Sequence, residues 1–257
     1  MDKKKISRLK ARLRKKPQAP RPPQETPRPE TLRPEDPTVR AGSFSNPITV
    51  TNSIAAIFGK RGSGKTALAR FLATGSHPFN GVKSSPPGKR VVIFDPRYQI
   101  EFGTVVSDFD EFFEFLYNAG DSFAVNFRPR YPREEFPLLC RYLRDTPFED
   151  TIFLVDEVSM VTTPYEIPLE FQDIIRFGRH NRIAVVMTAQ RPIDVNRDLT
   201  AQCNHLFIFN QHEPRDVQYF SGFLGDSANV IPSLQEFEFL YSDFKTAKKI
   251  DKNFKID

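Results

Sequence analysis

One short stretch limits the possible folds of this chain more than any other. The segment from Gly59 to Thr66 reads Gly-Lys-Arg-Gly-Ser-Gly-Lys-Thr and follows directly on the apolar run Ser53 to Phe58. Glycines at this spacing let successive backbone N–H groups point inward at a phosphate, and the positive end of a following helix adds to the attraction. The pattern therefore predicts a phosphate-binding loop between a strand and a helix.

Each residue type in this loop has a predicted role. The backbone encloses the β-phosphate, the Lys65 ammonium reaches the β- and γ-phosphates, and the Thr66 hydroxyl ligates Mg²⁺. A glycine-rich turn that binds nothing is the alternative, and the preceding strand argues against it. We expect ATP and Mg²⁺ as cofactors. The predicted nucleotide-binding residues are Gly59, Lys60, Arg61, Gly62, Ser63, Gly64, Lys65 and Thr66.

A second strand must bring a carboxylate to the metal, and the apolar run from Thr151 to Asp156 fits this need. Asp156 is predicted to hold Mg²⁺, directly or through water. Glu157 follows it and is placed to polarise the attacking water as general base; a charge at a helix N-terminus is the other interpretation. The adjacent acids favour a hydrolase over a kinase, whose acceptor is a substrate hydroxyl.

Short apolar runs alternate with amphipathic segments from Pro47 onward, which is typical of a sheet with crossover helices. Several runs are apolar on both faces, as in a mostly parallel sheet covered by helices on both sides. We predict an α/β fold. The predicted strands are Ser53 to Phe58, Arg90 to Asp95, Ser122 to Phe127, Thr151 to Asp156, Arg182 to Thr188 and Asn204 to Asn210. The predicted helices are Gly64 to Ala73, Phe109 to Asn118, Arg133 to Arg144, Pro168 to Phe177 and Pro214 to Phe223.

The N-terminal stretch differs in composition from the rest. Of the first 40 residues 13 are Lys or Arg, five are Asp or Glu and eight are Pro, whereas the other 217 residues carry a formal charge of −3. A segment with so few apolar residues cannot offset the entropy of ordering its backbone. We predict a disordered, basic and proline-rich arm over residues 1–46 and one motor domain over residues 47–257. The arm would attach to nucleic acid or an anionic membrane, or serve only as a solvated tail.

The sequence gives little support for a membrane-spanning protein or a zinc-binding protein. The longest apolar runs are far shorter than a membrane span, so we expect a soluble protein. Cys140 and Cys203 lie far apart without metal-ligand spacing, and the four histidines form no pair at i and i+4. We predict buried cysteines and no zinc site.

Three segments after the Asp156 strand resemble a block found in HerA/FtsK-type DNA-pumping ATPases. In that family the block reads Gly-Arg, then Ala-Thr-Gln-Arg-Pro, then Gln-Cys followed by Asn or Asp. Here the segments are Arg176 to Arg182, Ile183 to Pro192 and Leu199 to Asn204, with Gly178-Arg179, Gln190-Arg191-Pro192 and Gln202-Cys203-Asn204 at the matching positions. The strand Arg90 to Asp95 with Pro96 also resembles the family's second strand. The resemblance covers about Ser53 to Phe220.

The resemblance implies a RecA-like core in a homo-hexameric ring, with nucleotide between subunits and double-stranded DNA in the centre. It implies that Gln190 senses the γ-phosphate and the lytic water, and that Arg179 is the arginine finger offered to a neighbour's nucleotide. Arg176, Arg182 and Arg191 are rivals. The predicted catalytic residues are thus Glu157, Lys65, Gln190 and Arg179. Pore loops are expected among the basic stretches Arg128 to Arg133 and Lys83 to Lys89, although ordinary surface loops fit equally well.

A minimal motor core with a basic arm is most similar to the genome-packaging ATPases of icosahedral viruses with an inner membrane. This implies a DNA translocase in the host cytoplasm or at a packaging vertex of the virion, with capsid or membrane-vertex proteins as partners of the arm. The alternatives are an ATPase for conjugative DNA transfer or HerA-like DNA repair, and a Zot-like ATPase that assembles or extrudes virions or protein. A nucleotide-gated adaptor that barely hydrolyses ATP is a third hypothesis.

Overall fold

The computed structural model describes residues 44–75, 88–146 and 149–250. Its strands are β1 (Ile54–Phe58), β2 (Arg90–Phe94), β3 (Thr104–Val106), β4 (Phe123–Phe127), β5 (Thr151–Val155), β6 (Ile183–Ala189), β7 (His205–Phe209), β8 (Phe239–Ser242) and β9 (Ala247–Ile250). They form one sheet in the order β3-β4-β2-β5-β6-β1-β7-β8-β9. Strands β1 to β7 are mutually parallel, and β8 and β9 continue the sheet in antiparallel pairing.

The helices of the described ranges lie on both faces of this sheet. They are α1 (Lys65–Thr74), α2 (Phe109–Asn118), α3 (Pro132–Asp145), α4 (Leu169–Phe177), α5 (Arg197–Gln202) and α6 (Pro214–Leu224). Helix α1 packs on one face, where Leu68 and Phe71 join one apolar cluster. The other face carries α2, α3, α4 and α6, whose fully buried rings are Phe112, Phe136, Phe171 and Phe220. The predicted α/β fold, with a mostly parallel sheet and helices on both faces, is confirmed.

The alternation of apolar runs located the central elements within one or two residues, but it missed the edges. Strand β3 has only three residues, two of them exposed, so it carries almost no apolar signal. Strands β8 and β9 have four residues each and form a hairpin. The Asp243 carboxylate accepts the N–H groups of Lys245 and Thr246 in the connecting turn. Helix α5 was also missed, because six residues are too few to show a helical pattern of apolar residues.

Residues 44–46, which we assigned to the end of the arm, pack against the folded body. The Phe44 side chain is buried, and its ring centroid lies 5.2 Å from that of Tyr241. The Asn46 amide donates to the carbonyl oxygens of Phe71 and Leu72 at the end of α1. Burial of Phe44 makes it part of the core, although the predicted arm includes it. Residues 1–43 of the predicted arm lie outside the described residues.

The helices of the described residues are short or carry many charged side chains. None of these helices is both long enough and apolar enough to cross a bilayer.

Candidate active site

The parallel strands bring three polar segments to one edge of the sheet. Strands β1, β6 and β5 are neighbours, and the segments that follow them carry the glycine-rich loop, Gln190 and the Asp156-Glu157 pair respectively. Because parallel strands end at the same edge, these segments meet there and line a cleft of about 240 Å³. Sequence reasoning predicted this meeting, and we call this side of the sheet the nucleotide edge.

The loop from Gly59 to Thr66 has the backbone that its glycines allow. Gly62 and Gly64 adopt positive φ angles of 79° and 106°, a region that side-chain-bearing residues rarely enter. At Gly59 the restriction is space, because an added Cβ would lie 2.5 Å from Ser63 Oγ and 2.7 Å from Phe209 Cβ. The loop closes directly onto α1, whose first N–H groups have no partner within the helix and remain available to an anion.

Lys65 is the first residue of α1, and its ammonium lies inside the loop. Its Nζ donates to the carbonyl oxygens of Gly59 at 2.6 Å and Lys60 at 3.0 Å, so the lysine ties the loop backbone together. The side chain is almost fully buried. Burial lowers the pKa of Lys65, while the nearby carboxylates of Glu157 and Asp156 oppose that shift. The charge is thus held in the cleft by the same acids that would face it across a bound triphosphate.

Asp156 lies directly after β5 and is 5% exposed. Its Oδ1 accepts a hydrogen bond of 2.8 Å from the Thr188 hydroxyl, and its Oδ2 has no hydrogen-bond partner among the described residues. Burial raises the pKa of Asp156 to about 6, with smaller contributions of the same sign from Asp95 and Glu157, although the Thr188 hydrogen bond opposes the rise. A buried carboxylate with one free oxygen fits a divalent cation, and Thr66 lines the same cleft.

Glu157 has an unusual backbone and a well-ordered carboxylate. Its φ of 48° places it in the left-handed region, which costs a non-glycine residue roughly 1 kcal/mol or more. Its N–H donates to the Thr188 hydroxyl oxygen at 2.9 Å. The Oε1 atom accepts from the Ser159 hydroxyl at 2.9 Å and from the Gln190 N–H at 3.2 Å. The side chain is therefore aimed into the cleft by contacts on both sides.

Gln190 follows β6, and its side-chain amide donates to Glu157 Oε2 at 3.2 Å. Its carbonyl oxygen accepts from the Gln211 amide at 2.9 Å, which links this residue to the end of β7. The next residue, Arg191, forms an ion pair of 3.0 Å with the buried Asp216 of α6. The structure thus brings the predicted sensor amide and the predicted base into direct contact.

The sequence interpretation missed two residues: Thr188, which is buried beside the cleft, and Arg97, which lines it. The Thr188 hydroxyl bonds both the Asp156 carboxylate and the Glu157 N–H. In the sequence it was only part of the segment Ile183 to Pro192. Arg97 lines the cleft and places its Nη1 3.5 Å from Glu157 Oε2. The signal for Arg97 was its position three residues after β2, a strand that ends at the same edge. Applying the rule of common strand ends to β2 would have found it.

Arg179 lies at the opposite edge of the sheet. With Arg176 it lines a second pocket, formed where β1 and β6 begin. The seven residues of β6 separate this arginine edge from the nucleotide edge by roughly 20 Å. Both arginines are exposed, and within the described ranges neither makes a side-chain hydrogen bond or an ion pair. Arg179 therefore does not meet the other predicted catalytic residues in its own chain.

The rival arginines are engaged within the chain. Arg182 pairs with Asp150 beside the start of β5, and Arg191 pairs with Asp216 as described above. Of the basic stretch Arg128 to Arg133, Arg128 is likewise committed, because it donates to the carbonyl of Ile100 at 2.8 Å. This occupancy favours Arg179 and Arg176 over Arg182 and Arg191 as free cations. Most of the segment Lys83 to Lys89 lies outside the described residues.

Comparison with known proteins gives structural matches only, since no family model and no curated protein matches the sequence. The genome-packaging NTPase B204 of Sulfolobus turreted icosahedral virus 2 in complex with ATP-gammaS matches with a TM-score of 0.61 and 14% identity, over 78% of this chain and 98% of that chain. The DNA-packaging ATPase B204 of Sulfolobus turreted icosahedral virus matches with a TM-score of 0.62 and 17% identity, over 77% and 97% of the two chains. VirB4 of Thermoanaerobacter pseudethanolicus matches with a TM-score of 0.55 and 14% identity, over 80% and 90%. At these identities the matches show the fold alone, and the chain has the P-loop NTPase fold of these proteins.

Proposed function

We propose that this protein is an ATPase that hydrolyses ATP in a ring of identical copies and uses the energy to move double-stranded DNA. The observation that carries the ATPase assignment is the contact of Glu157 with Gln190 in the same cleft as Lys65 and Asp156. A base, a sensor amide, a phosphate-binding lysine and a metal-binding carboxylate are the parts that phosphoryl transfer to water requires.

The cleft and its surroundings fit a nucleoside triphosphate in charge and in size. Among the described residues that line the cleft, the cations Arg61, Lys65 and Arg97 face the acids Asp156 and Glu157. A second pocket of about 540 Å³ adjoins the other side of the loop, with the rings of Phe209 and Phe237 in its wall. This pocket offers apolar surface to a base while the phosphates enter the loop.

Each side chain has a proposed part in hydrolysis. Lys65 balances the charge of the β- and γ-phosphates, and Thr66 with Asp156 would hold Mg²⁺. The metal ion, when bound, neutralises charge that develops on the phosphate oxygens. Glu157 accepts the proton of the attacking water, and Gln190 orients that water beside the γ-phosphate.

The ring is proposed from the separation of the two edges. A finger role for Arg179 requires a second copy, and we propose that Arg179 of one copy completes the site of the next, where Lys65 and Arg97 already line the cleft. The described part of the chain places Arg179 where its own nucleotide is out of reach. We propose a hexamer, with DNA held in the centre by contacts to its backbone phosphates.

Genome packaging is the proposed purpose of this motor. The two B204 proteins, described as packaging enzymes, match this chain over almost their whole length. We infer action in the host cytoplasm or at a vertex of the virion, where the basic segment 1–43 would bind capsid or membrane-vertex proteins or DNA. The likeness to VirB4 keeps open a second candidate, an ATPase that drives DNA transfer or the extrusion of protein.

The test is the ATP turnover of the purified full chain with and without duplex DNA at several salt concentrations. We expect DNA to stimulate turnover and added salt to weaken the stimulation, because phosphate contacts release counterions. The Glu157→Gln variant should bind nucleotide and DNA but lose turnover by about 100-fold or more. Turnover that does not change with DNA at any salt concentration, yet rises with coat protein, would favour the extrusion of protein over any DNA motor.

A further inference from the structure

The segment that follows β2, Asp95 to Ile100, is fixed to the body of the protein, and we call it the β2 loop. Asp95 is fully buried, and its two oxygens accept the N–H groups of Gln99 at 2.9 Å and Ile100 at 3.0 Å. Its Oδ2 also lies 3.3 Å from Arg128 Nε in an ion pair. The backbone of this loop is therefore held at both ends by one carboxylate.

A second anchor holds the middle of the β2 loop. Tyr98 adopts a φ of 58° in the left-handed region, and its hydroxyl donates to the carbonyl oxygen of Pro129 at 2.8 Å. The Arg128 guanidinium lies 5.8 Å from the centroid of the Tyr98 ring. The turn between Asp95 and Tyr98 thus has little freedom, and Arg97 leaves the backbone from a defined position.

The Arg97 side chain is held less firmly than the backbone of the β2 loop. It is 41% exposed, lines the cleft beside Lys65, and has Glu157 as its ion-pair partner among the described residues, at 3.5 Å. This distance is at the limit of a hydrogen bond, and a half-exposed pair is weak. The other contacts of the Glu157 carboxylate come from Ser159 and Gln190 and are shorter. The Arg97 contact is therefore the one that a competing anion breaks most easily.

We propose that Arg97 senses the γ-phosphate by exchanging the Glu157 carboxylate for it when a triphosphate enters the cleft. A guanidinium binds a phosphate group more strongly than a single distant carboxylate oxygen, because it donates two parallel hydrogen bonds to it. The exchange leaves Glu157 Oε2 with the Gln190 amide alone. Arg97 thereby positions the base, since Oε2 can accept the proton of the attacking water only after the cation has left it.

This inference rests on the proposed ATPase function and adds to it a residue that distinguishes triphosphate from diphosphate. Without a γ-phosphate, Arg97 stays on Glu157 and the base remains paired.

The experiment measures equilibrium binding of ADP and of the non-hydrolysable analogue AMPPCP, each with Mg²⁺, to the full chain. We expect Arg97→Ala to weaken AMPPCP binding about 10-fold or more, the effect of losing a charged hydrogen bond, and ADP binding less than about twofold. Arg97→Lys should restore part of the difference. Arg70→Ala, which removes an exposed arginine on α1 outside the cleft, is the matched control and should change neither affinity.

A second measurement tests the exchange itself. In the Glu157→Gln background Arg97 has no carboxylate to leave, so AMPPCP should bind about threefold tighter than to the parent protein, and Arg97→Ala should abolish this gain. Equal losses of ADP and AMPPCP affinity in Arg97→Ala, or no loss of either, would overturn the inference. The proposed function fails on a different result, namely unchanged nucleotide binding in Lys65→Ala.

Discussion

The two edges of the sheet are built in opposite ways. At the nucleotide edge, Lys65, Asp156 and Glu157 are buried, and each makes at least one side-chain hydrogen bond within the same chain. At the arginine edge, Arg176 and Arg179 are exposed and make no ion pair within the described ranges. Residues that act on a nucleotide in their own chain can be fixed by contacts within that chain. A residue that acts on the nucleotide of a neighbouring copy must stay exposed and unpaired in its own chain. The contrast suggests which half of a shared site each edge supplies.

The largest expected effect is at the nucleotide edge. Replacing Lys65 by Ala removes the ammonium that ties the loop and balances the phosphates, so ATP turnover should fall by about 1,000-fold or more, with loss of nucleotide binding. Nucleotide titration and steady-state turnover of the purified variant measure this. Retained turnover would contradict the assignment of the loop as a phosphate site.

The next effect tests the arginine edge. Arg179→Ala should reduce turnover by about 100-fold or more while leaving nucleotide affinity nearly unchanged, because the finger acts on the transition state of a neighbour. The control is Arg141→Ala, which removes an exposed arginine paired with Glu170 on another surface and should change turnover little.

Mixing two inactive variants tests whether the nucleotide edge of one copy works with the arginine edge of another. In rings assembled from equal amounts of Lys65→Ala and Arg179→Ala chains, roughly a quarter of random interfaces combine an intact lysine with an intact arginine. Turnover should therefore reappear on mixing. If the mixture stays inactive although the chains assemble together, Arg179 does not act in trans.

A smaller effect concerns the burial of Asp156 at the nucleotide edge. Its pKa in the folded chain, about 6, exceeds the ordinary value of 3.8. Asp156 therefore favours the folded state most below pH 4, and this contribution is lost as the pH rises through about 6. Above pH 7 and without metal, Asp156→Asn should raise the free energy of unfolding by about 1–3 kcal/mol.

Urea unfolding with a chelator, at pH 5 and at pH 8, measures this difference. The parent protein should lose more stability than Asp156→Asn between the two pH values. Parallel pH dependence of parent and variant would show that the carboxylate is not desolvated. A chain with Mg²⁺ and nucleotide bound should show the reverse ranking, because the metal requires the charged carboxylate.

The smallest effect separates Thr188 from the groups it positions. Thr188→Val keeps the shape but leaves the Glu157 N–H and Asp156 Oδ1 without their partner, so turnover should fall about 10-fold and Mg²⁺ should bind more weakly. Thr188→Ser retains the hydroxyl and should recover most of the activity. Equal defects in both variants would indicate that the methyl group is what matters.

Central features were predictable where the pattern carries a strong local signal. The loop from Gly59 to Thr66 was identified from its residues alone, and Asp156 followed from the need for a carboxylate at the end of a neighbouring strand. Parallel runs such as β5 and β6 are apolar on both faces and have few alternative structures. The role of Gln190 was implied by the family resemblance, and the contact of its amide with Glu157 is seen only in the structure.

Features that depend on distant contacts were not predictable. The packing of Phe44 was not predictable because it depends on Phe239 and Tyr241, which lie almost at the other end of the chain. Arg97 was missed because we did not extend the rule of common strand ends to β2, and the rule alone would not have shown how the loop after β2 is held. Its importance comes from the Asp95 contacts that fix the loop, and these are visible only in three dimensions.

The position of β1 between β6 and β7 has a consequence for folding of the chain during its synthesis on the ribosome. The Ile54 N–H donates to the side chain of Asn204, which is 150 residues further along the chain. At a synthesis rate of 5–20 residues per second, the phosphate loop emerges roughly 10 s before its strand can pair on either side. During that interval β1 has neither of its neighbouring strands to pair with, and the loop that follows it lacks its support in the sheet. The vulnerability of the protein to misassembly is therefore greatest while the chain is being made.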